Sequence, residues 1–216
     1  MTWRANLRET VFNSGLTDIY EFGVYSGESV WDIKNLYDLE YIPVRRFFCF
    51  DSFVGLPEET QEPIAQDCWH KGGFNACEKF GVDNIDECIN KTDALIRKNA
   101  DFTETNLFFI PGFYEDSLTD DIVEKYDMKP AAFVDMDADI YCSTYTALDF
   151  MFRNGLIQRG TLIAYDDWGG TPGWETYADG ESRAHDEICS KYHVSVQCVA
   201  QYGIAYPHVQ MVFLVC

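Results

Sequence analysis

Basic residues are scarce in this sequence. Its 216 residues include 16 Lys and Arg against 36 Asp and Glu, which gives a formal net charge of -20. A surface of that sign repels phosphate backbones and anionic lipid headgroups. The sequence therefore predicts no nucleic-acid partner and no membrane partner.

Long apolar runs, a signal peptide and CxxC pairs are also missing. No apolar stretch reaches the roughly 18 to 20 residues that span a bilayer. The first residues, MTWRANLRETVFNSG, lack the apolar stretch of a signal peptide, and the eight cysteines are therefore expected to be reduced. The spacings of Cys68, Cys77 and Cys88, with His70, match no compact pair of zinc ligands. We expect a soluble, cytoplasmic protein.

No internal repeat, low-complexity tract or flexible linker divides the chain, so residues 1–216 are expected to form a single domain. Residues 58–101 make a long connection without a clear strand, and the sequence predicts a helix at 83–98 after an irregular loop. The loop at 58–82 carries the cluster WHKGGF. Such a cluster suits a lid or acceptor loop over a ligand, and a packed surface excursion is the alternative.

Strand-like and helix-like segments alternate along the chain. The helix-like stretches include 28–39, 143–152 and 181–192, which carry apolar residues at helical spacing. Alternation of this kind predicts a three-layer α/β sandwich with a mostly parallel sheet. The short connection at 202–208 predicts an antiparallel hairpin at one edge. The runs rich in β-branched and aromatic residues lie at 17–25, 46–53, 106–112, 131–137, 161–167, 194–200 and 209–216.

Polar residues follow the first five predicted strands. They are Glu21 with its glycines, Asp51, Gly112, the pair Asp137 and Asp139, and the pair Asp166 and Asp167. The carboxyl ends of parallel strands meet at one edge of a sheet, where α/β proteins bind ligands. These side chains are therefore expected to converge in one site.

The segment EFGVYSGES places Gly23 and Gly27 where a strand turns into a helix. Such a turn lets a ligand approach the backbone and the free amides of the helix N-terminus. The third glycine of a dinucleotide fingerprint is missing, and Glu21 would repel a pyrophosphate, so a ligand with an amino group fits better. Asp51 either holds ribose hydroxyls or caps a helix.

Five aspartates lie in the segments VDMDADIYCST and YDDW, at the tips of two strands. Carboxylates this close repel one another unless water or a hard cation neutralises them. Oxygen ligands favour Mg²⁺ or Mn²⁺ over softer metals. A set of loop caps and solvated charges is the alternative interpretation.

Six motifs together resemble the macrocin O-methyltransferase family over residues 18–195: EFGVYSG, FDSFVGLPE, WHKGGF, PGFYEDSL, DADIYCST and DDW. That family consists of metal-dependent enzymes that use S-adenosylmethionine (SAM) to methylate sugar hydroxyls. The resemblance implies a class I SAM-methyltransferase (Rossmann-like) sheet in the order 3-2-1-4-5-7-6, with SAM and Mg²⁺ or Mn²⁺ as cofactors. It implies a small-molecule or glycan acceptor carrying a sugar, such as the deoxysugar rhamnose.

The resemblance also implies a role for individual residues. Asp135 lies outside the matched DxDxYxST pattern and is a candidate for support behind the site. The assigned residues are Glu21, Gly23, Tyr25, Ser26 and Gly27 for the turn at the methionine part of SAM, Asp51 and Ser52 for its ribose, Gly112 and Phe113 beside the adenine, Asp137, Asp166 and Asp167 for the metal, and Asp139 as general base.

Three alternatives remain open from the residues. The segment DMDAD contains two overlapping DxD motifs, which are typical of metal-dependent glycosyltransferases. A non-catalytic binding module on the same fold and a catechol-type O-methyltransferase are the other two. Members of the family carry a longer N-terminal segment than the 17 or so residues that precede the first strand here. The chain is therefore either a small variant, with a homodimer as one expectation, or one module of a larger protein.

Overall fold

The structure is a computed structural model that describes residues 15–64, 67–168, 179–202 and 209–216. The predictions made for the N-terminal stretch 1–14 and for the hairpin connection at 203–208 lie outside these residues. Within the described part, no helix is long and apolar enough to cross a membrane. All eight cysteines are free thiols, as expected.

Seven strands form one sheet in the order β3-β2-β1-β4-β5-β7-β6. Strands β1 to β5 run parallel to one another. Strand β7 pairs antiparallel with both β5 and β6. The predicted parallel sheet and its antiparallel edge are confirmed, and so is the strand order that the resemblance implies. The strands are β1 Asp18–Phe22, β2 Arg46–Asp51, β3 Leu107–Pro111, β4 Ala131–Met136, β5 Leu162–Tyr165, β6 Val196–Tyr202 and β7 Gln210–Val215.

Helices cover both faces of the sheet. The first helix buries Val30, Ile33 and Tyr37 on one side, which is the apolar spacing read from the sequence. Within the described residues the α-helices are α1 Glu28–Leu39, α2 Ala76–Phe80, α3 Ile85–Asn99, α4 Tyr114–Ser117, α5 Asp120–Lys125, α6 Tyr141–Arg153 and α7 Gly180–Tyr192.

The alternation of side chains along each strand divides the core into two layers. Tyr20 and Phe22 of β1 stack with Phe48 and Phe50 of β2 on the face covered by the later helices. Their neighbours on the opposite face, such as Ile19, pack in the layer that α1 and α3 cover. Both faces of the central strands are buried, which explains why these strands have apolar residues nearly throughout.

The register of the parallel strands aligns their carboxyl ends. Phe22 pairs with Phe50 on one side and with Met136 on the other. Met136 in turn pairs with Tyr165 of β5. The residues that follow these positions therefore leave the sheet at one edge, which confirms the convergence expected from the sequence.

The segment at 58–82 is more ordered than an irregular loop. It contains a 3₁₀ turn at Asp67–Trp69 and the short helix α2, and the helix predicted at 83–98 follows it as α3. The Glu59 carboxylate accepts a 2.8 Å hydrogen bond from the backbone amide of Cys142 at the start of α6. Glu62 accepts a 2.7 Å bond from the amide of Gly180 at the start of α7. These two acids fasten the segment across the ligand-facing edge of the sheet.

Candidate functional site

A cavity of about 280 Å³ opens at the carboxyl ends of the parallel strands. Its walls come from the turns after β1 to β5 and from the segment at 58–82, which contributes Trp69 and Phe74. This volume approaches the lower end of the range for small-molecule sites. The residues that the sequence assigned to the site and that line this cavity are Gly23, Tyr25, Asp51, Ser52, Gly112, Phe113, Asp137, Asp139, Asp166 and Asp167.

Both glycines of the turn after β1 are required by close packing. A Cβ atom at Gly23 would lie 1.8 Å from the carbonyl oxygen of Asp137, and the residue has φ +91°. A Cβ atom at Gly27 would lie 2.6 Å from Cγ1 of Ile96 on α3, also with φ +91°. Only glycine fits positions that combine positive φ with such contacts. Gly23 thus brings the first turn of the site directly against the start of the aspartate cluster.

Asp51 is held by the backbone of the same turn. Its Oδ2 accepts hydrogen bonds of 2.7 Å from the amides of both Val24 and Tyr25, and Oδ1 accepts one of 2.6 Å from Phe53. Burial raises the pKa of Asp51, and the three amides act against that rise. A carboxylate has about four acceptor positions. One acceptor position, on Oδ1, therefore remains for a ligand in this arrangement.

Three residues assigned to the cofactor lie outside the cavity wall: Glu21, Ser26 and Gly27. Ser26 is fully buried, and its hydroxyl contacts Glu28 and Lys79. Ser52 does line the cavity, but its hydroxyl donates a 2.7 Å bond to the carbonyl of Gly55. The roles that the resemblance gives these side chains remain predictions.

Glu21 is a buried carboxyl group behind the turn. Its Oε1 accepts a 2.6 Å hydrogen bond from Ser29, while its buried Oε2 has no hydrogen-bond partner among the residues that the structure describes. Burial, followed by the neighbouring Asp135 and Asp51, raises the pKa of Glu21 well above its usual range. The role of Glu21 towards the methionine part of SAM remains a prediction. Asp135 acts on both sides of the site, because its charge raises the pKa of Glu21 and also that of Asp137.

The turn after β3 also lines the cavity, through Gly112 and Phe113. Gly112 has φ +129°, and a Cβ atom there would lie 3.2 Å from Cβ of Ser117. Phe113 precedes the short helix α4, whose first residue, Tyr114, also lines the cavity. The Tyr114 ring packs edge-on against Phe22, 5.6 Å between centroids. The sequence analysis did not single out Tyr114, although it stands inside the quoted motif PGFYEDSL.

Three aspartates form a group that fits a metal ion. One carboxylate oxygen from each of Asp137, Asp166 and Asp167 lies within 4.8 Å of the others. Burial, followed by the charges of Asp166, Asp139, Asp135 and Asp167, raises the pKa of Asp137 well above its usual range. An all-oxygen donor set with this repulsion suits a hard divalent cation such as Mg²⁺ or Mn²⁺. The residues present therefore fit the metal that the sequence predicts.

Among the described residues, the cysteine and histidine set weighed for zinc does not form such a group. The group of potential ligand atoms that converges in this part of the chain is the aspartate one. Cys77 is buried against Phe53 and Cys88 in a small apolar cluster. Cys77 and Cys88 are therefore packing residues of this cluster.

Asp139 sits beside the three aspartates with a backbone φ of +63°. The Trp69 indole N–H donates a hydrogen bond to its carboxylate, which also contacts Asp167. Burial and the charge of Asp167 raise the pKa of Asp139 well above its usual range, and the Trp69 hydrogen bond acts against that rise. A non-glycine residue at positive φ stores backbone strain, which is typical of functional sites. Asp139 is thus an oriented carboxyl group at the cavity wall, and its role as general base remains a prediction.

Two residues that the sequence analysis missed support the aspartates from behind. Gln210 of β7 donates a hydrogen bond to Oδ1 of Asp166. Glu181 of α7 is fully buried and accepts hydrogen bonds from the amides of Ala138 and Asp167. Glu181 could have been suspected from the sequence, because it is an acid at the start of a predicted helix. Gln210 carries no such signal, since its contact depends on the antiparallel pairing of β5 with β7.

A comparison with protein families agrees with this geometry. The family model described as Macrocin-O-methyltransferase (TylF) matches residues 4–200. No curated protein matches the sequence.

Solved structures show the same fold at low sequence identity. The calicheamicin methyltransferase CalS11 is 18% identical with a TM-score of 0.70, over 98% of this chain and 77% of that one. The O-methyltransferase NovP is 19% identical with a TM-score of 0.65, over 97% of this chain and 78% of that one. An O-methyltransferase from Bacillus cereus, solved with S-adenosylhomocysteine (SAH), is 17% identical with a TM-score of 0.50, over 98% and 80%. The fold is that of class I SAM methyltransferases.

Proposed function

The chain belongs to the macrocin O-methyltransferase family, and from that membership we propose that it methylates a sugar hydroxyl with the help of a divalent cation. It is a SAM-dependent O-methyltransferase. We propose in addition the kind of acceptor and the use of a metal ion. We infer a sugar with neighbouring hydroxyls, carried by a glycoside or glycan, and rhamnose is the first candidate.

One observation carries the proposal most strongly. The turn that holds Asp51 and the group of Asp137, Asp166 and Asp167 open into one cavity, with Gly23 packed between them. A methyl donor held by the first half and an acceptor held by the second would therefore meet over a short distance. Bringing two reactants together in this way accounts for a large part of the catalysis of group transfer.

The chain's own residues provide a route for the proton. SAM supplies an electrophilic methyl group on a sulfonium, and a divalent cation supplies orientation of two hydroxyls and a lower hydroxyl pKa. Asp139 would accept the hydroxyl proton of the acceptor, while SAM held at the turn of Asp51 would give its methyl group to the hydroxyl oxygen and be left as SAH. Asp139 lies at the cavity wall beside the three aspartates, within reach of an acceptor that the cation would hold. Trp69 keeps the Asp139 carboxylate directed at the cavity.

The charge of the cavity favours an uncharged acceptor. Five aspartates line it, and no Lys or Arg is found among the described residues of the lining. One divalent cation would neutralise only part of that charge, so a diphosphate group would be repelled. CalS11 is described as a TDP-rhamnose 3'-O-methyltransferase. For this chain we propose instead that the sugar is already attached to an uncharged molecule.

Apolar side chains supply the other wall of the acceptor region. Trp69 and Phe74 line the cavity from the segment at 58–82, and Leu56 and Pro57 line it from the two positions just before that segment. Aromatic and apolar surfaces pack against the C–H face of a sugar ring, and a deoxysugar adds a methyl group to that face. We propose that this segment is the acceptor loop.

The experiment is a methylation assay in which product is detected as a mass gain of one methyl group. Purified protein receives SAM, Mg²⁺ and one acceptor from a panel: a neutral rhamnoside, the same sugar as a nucleoside diphosphate, and a catechol. Methylation of the neutral rhamnoside above the other two is expected. Preference for the nucleotide sugar would overturn the charge argument, and preference for the catechol would favour the alternative of small aromatic acceptors.

The glycosyltransferase alternative has lost its support, because the family and the fold are those of methyltransferases. Calorimetry with SAH and with a nucleoside diphosphate checks this point directly. SAH binding without nucleoside-diphosphate binding is the expected result.

A further inference from the structure

Glu181 occupies an unusual position for a carboxylate. It lies in the first turn of α7, and its side chain is completely buried. Oε1 accepts a 3.3 Å hydrogen bond from the amide of Ala138, and Oε2 accepts a 3.0 Å bond from the amide of Asp167. One side chain thus joins the turn after β4 to the turn after β5.

These two amides belong to the aspartate group itself. Ala138 lies between Asp137, a proposed metal ligand, and Asp139, the proposed base. The second amide is that of another proposed ligand, Asp167. Two buried N–H donors need two acceptor oxygens, and among similar side chains only a carboxylate offers both. An amide such as Gln could satisfy one donor and would turn its own N–H₂ group towards the other.

Holding an acid here is electrostatically unfavourable. The charges of Asp167 and Asp139 act on Glu181 across a buried region. The helix N-terminus offsets part of this repulsion, since α7 presents the positive end of its dipole to the carboxylate. The fold nevertheless keeps a carboxyl group beside the aspartates, where it accepts hydrogen bonds from both turns.

We propose that Glu181 is a positioning residue for the metal site: it fixes the spacing between Asp137 and Asp167 by binding both turns. The inference rests on the metal site of the proposed function. Residues that hold metal ligands from behind typically contribute 10- to 100-fold, roughly, to metal affinity.

Glu181→Gln tests this, with Glu62→Gln as the matched control. Glu62 also accepts a hydrogen bond at the start of α7, from the amide of Gly180, and it pairs with Arg183 without contacting the metal turns. Mn²⁺ binding to each metal-free protein is measured from the electron paramagnetic resonance signal of the free ion. SAH binding without metal is measured by calorimetry and reports whether the cofactor half is folded.

We expect Glu181→Gln to change Mn²⁺ affinity but not SAH affinity. Glu181→Gln should weaken Mn²⁺ binding by roughly 10- to 100-fold while SAH affinity stays near that of the unmodified protein. Glu62→Gln should leave Mn²⁺ affinity unchanged. Equal Mn²⁺ affinity in Glu181→Gln and the unmodified protein would overturn the inference. Equal losses of Mn²⁺ and SAH binding would also overturn it, because they would indicate a general structural role.

Failure of the metal proposal gives a different result, since the unmodified protein would then bind no Mn²⁺. If Glu181→Gln does not fold, Glu181→Asp replaces it. Asp keeps both oxygens but is one methylene shorter, so it cannot reach both turns. The same loss of Mn²⁺ affinity is expected from Glu181→Asp, and unchanged affinity would again contradict the inference.

Discussion

The two halves of the cavity differ in what surrounds their aspartates. Asp51, in the half after β1 and β2, accepts three backbone hydrogen bonds and is satisfied by the fold. Asp137, in the half after β4 and β5, faces the charges of four other aspartates. The first half is therefore shaped before any ligand arrives, whereas the second is under electrostatic repulsion that a cation would relieve. Under the proposed function, we expect such a site to bind SAM without metal and to need metal to hold its acceptor.

The largest expected effect comes from breaking the contact that joins the halves. Gly23→Ala places a Cβ atom 1.8 Å from the Asp137 carbonyl oxygen. Because backbone atoms cannot move away cheaply, the variant should lose both SAH and metal binding and lower the melting temperature severely. Gly81→Ala is the control: it also has positive φ, +63°, but its Cβ would meet open space, and it should cost only about 1 kcal/mol. Similar melting temperatures for the two variants would contradict the packing argument.

Asp139→Asn tests the proton acceptor within the second half. Asn keeps the shape and the hydrogen bond from Trp69 but cannot accept a proton, so turnover should fall by roughly 10²-fold or more. SAH and Mn²⁺ binding should both persist. Turnover close to normal would show that another group removes the proton.

A pair of substitutions tests the contrast between the halves directly. Asp51→Asn turns an N–H₂ group towards backbone N–H donors, so it should weaken SAH binding and destabilise the fold by about 1–3 kcal/mol. Asp137→Asn removes one repelling charge, so it should weaken metal binding and raise the melting temperature of the metal-free protein by a few degrees. Calorimetry and thermal unfolding measure both. Equal effects of the two variants on SAH binding would remove the distinction.

The smallest expected effect is a pH dependence of the stabilisation by metal. Burial and neighbouring acids raise the pKa of Asp137 and of Glu181 in the folded state. The stability that these groups contribute is therefore present below their unfolded pKa, near 4, and is lost as pH rises through the raised folded values. Bound Mg²⁺ should offset that loss.

The increase in melting temperature on adding Mg²⁺ should accordingly be larger at about pH 8 than at about pH 5.5. His185 gives the opposite trend, since burial lowers its pKa to about 4, and its contribution to stability is lost as pH falls. Comparing protein with and without metal at each pH cancels that contribution. An equal increase at both values would argue against repulsion among the aspartates.

The sequence predicts the fold well because the relevant physics is local. Strand runs, helical spacing and short edge connections predict a parallel sheet with an antiparallel hairpin, whereas the strand order, which the structure confirms, was implied by the family resemblance. The convergence of Asp51, Asp137 and Asp166 follows from the same argument, because parallel strands end at one edge.

Other features depend on contacts between distant segments and could not be predicted. The Gly-x-x-x-Gly spacing suggested ligand approach, yet Gly27 is required by packing against Ile96, 69 positions along the chain. The ribose role of Asp51 remains a prediction, and the three amides that bind its carboxylate come from turns whose geometry is visible only in three dimensions. The bonds that Glu181 makes to the metal turns are hidden in the same way.

Sequential calorimetry on the metal-free protein tests the central claim most directly, with SAH titrated first and Mg²⁺ second. The account predicts that SAH binds without metal and that about one equivalent of Mg²⁺ then binds through the carboxylates of Asp137, Asp166 and Asp167. The Mg²⁺ step should disappear in Asp137→Asn while the SAH step remains. SAH binding that requires Mg²⁺, or a protein that binds SAH but no divalent cation, would contradict the division of the site into a preformed half and a cation-dependent half.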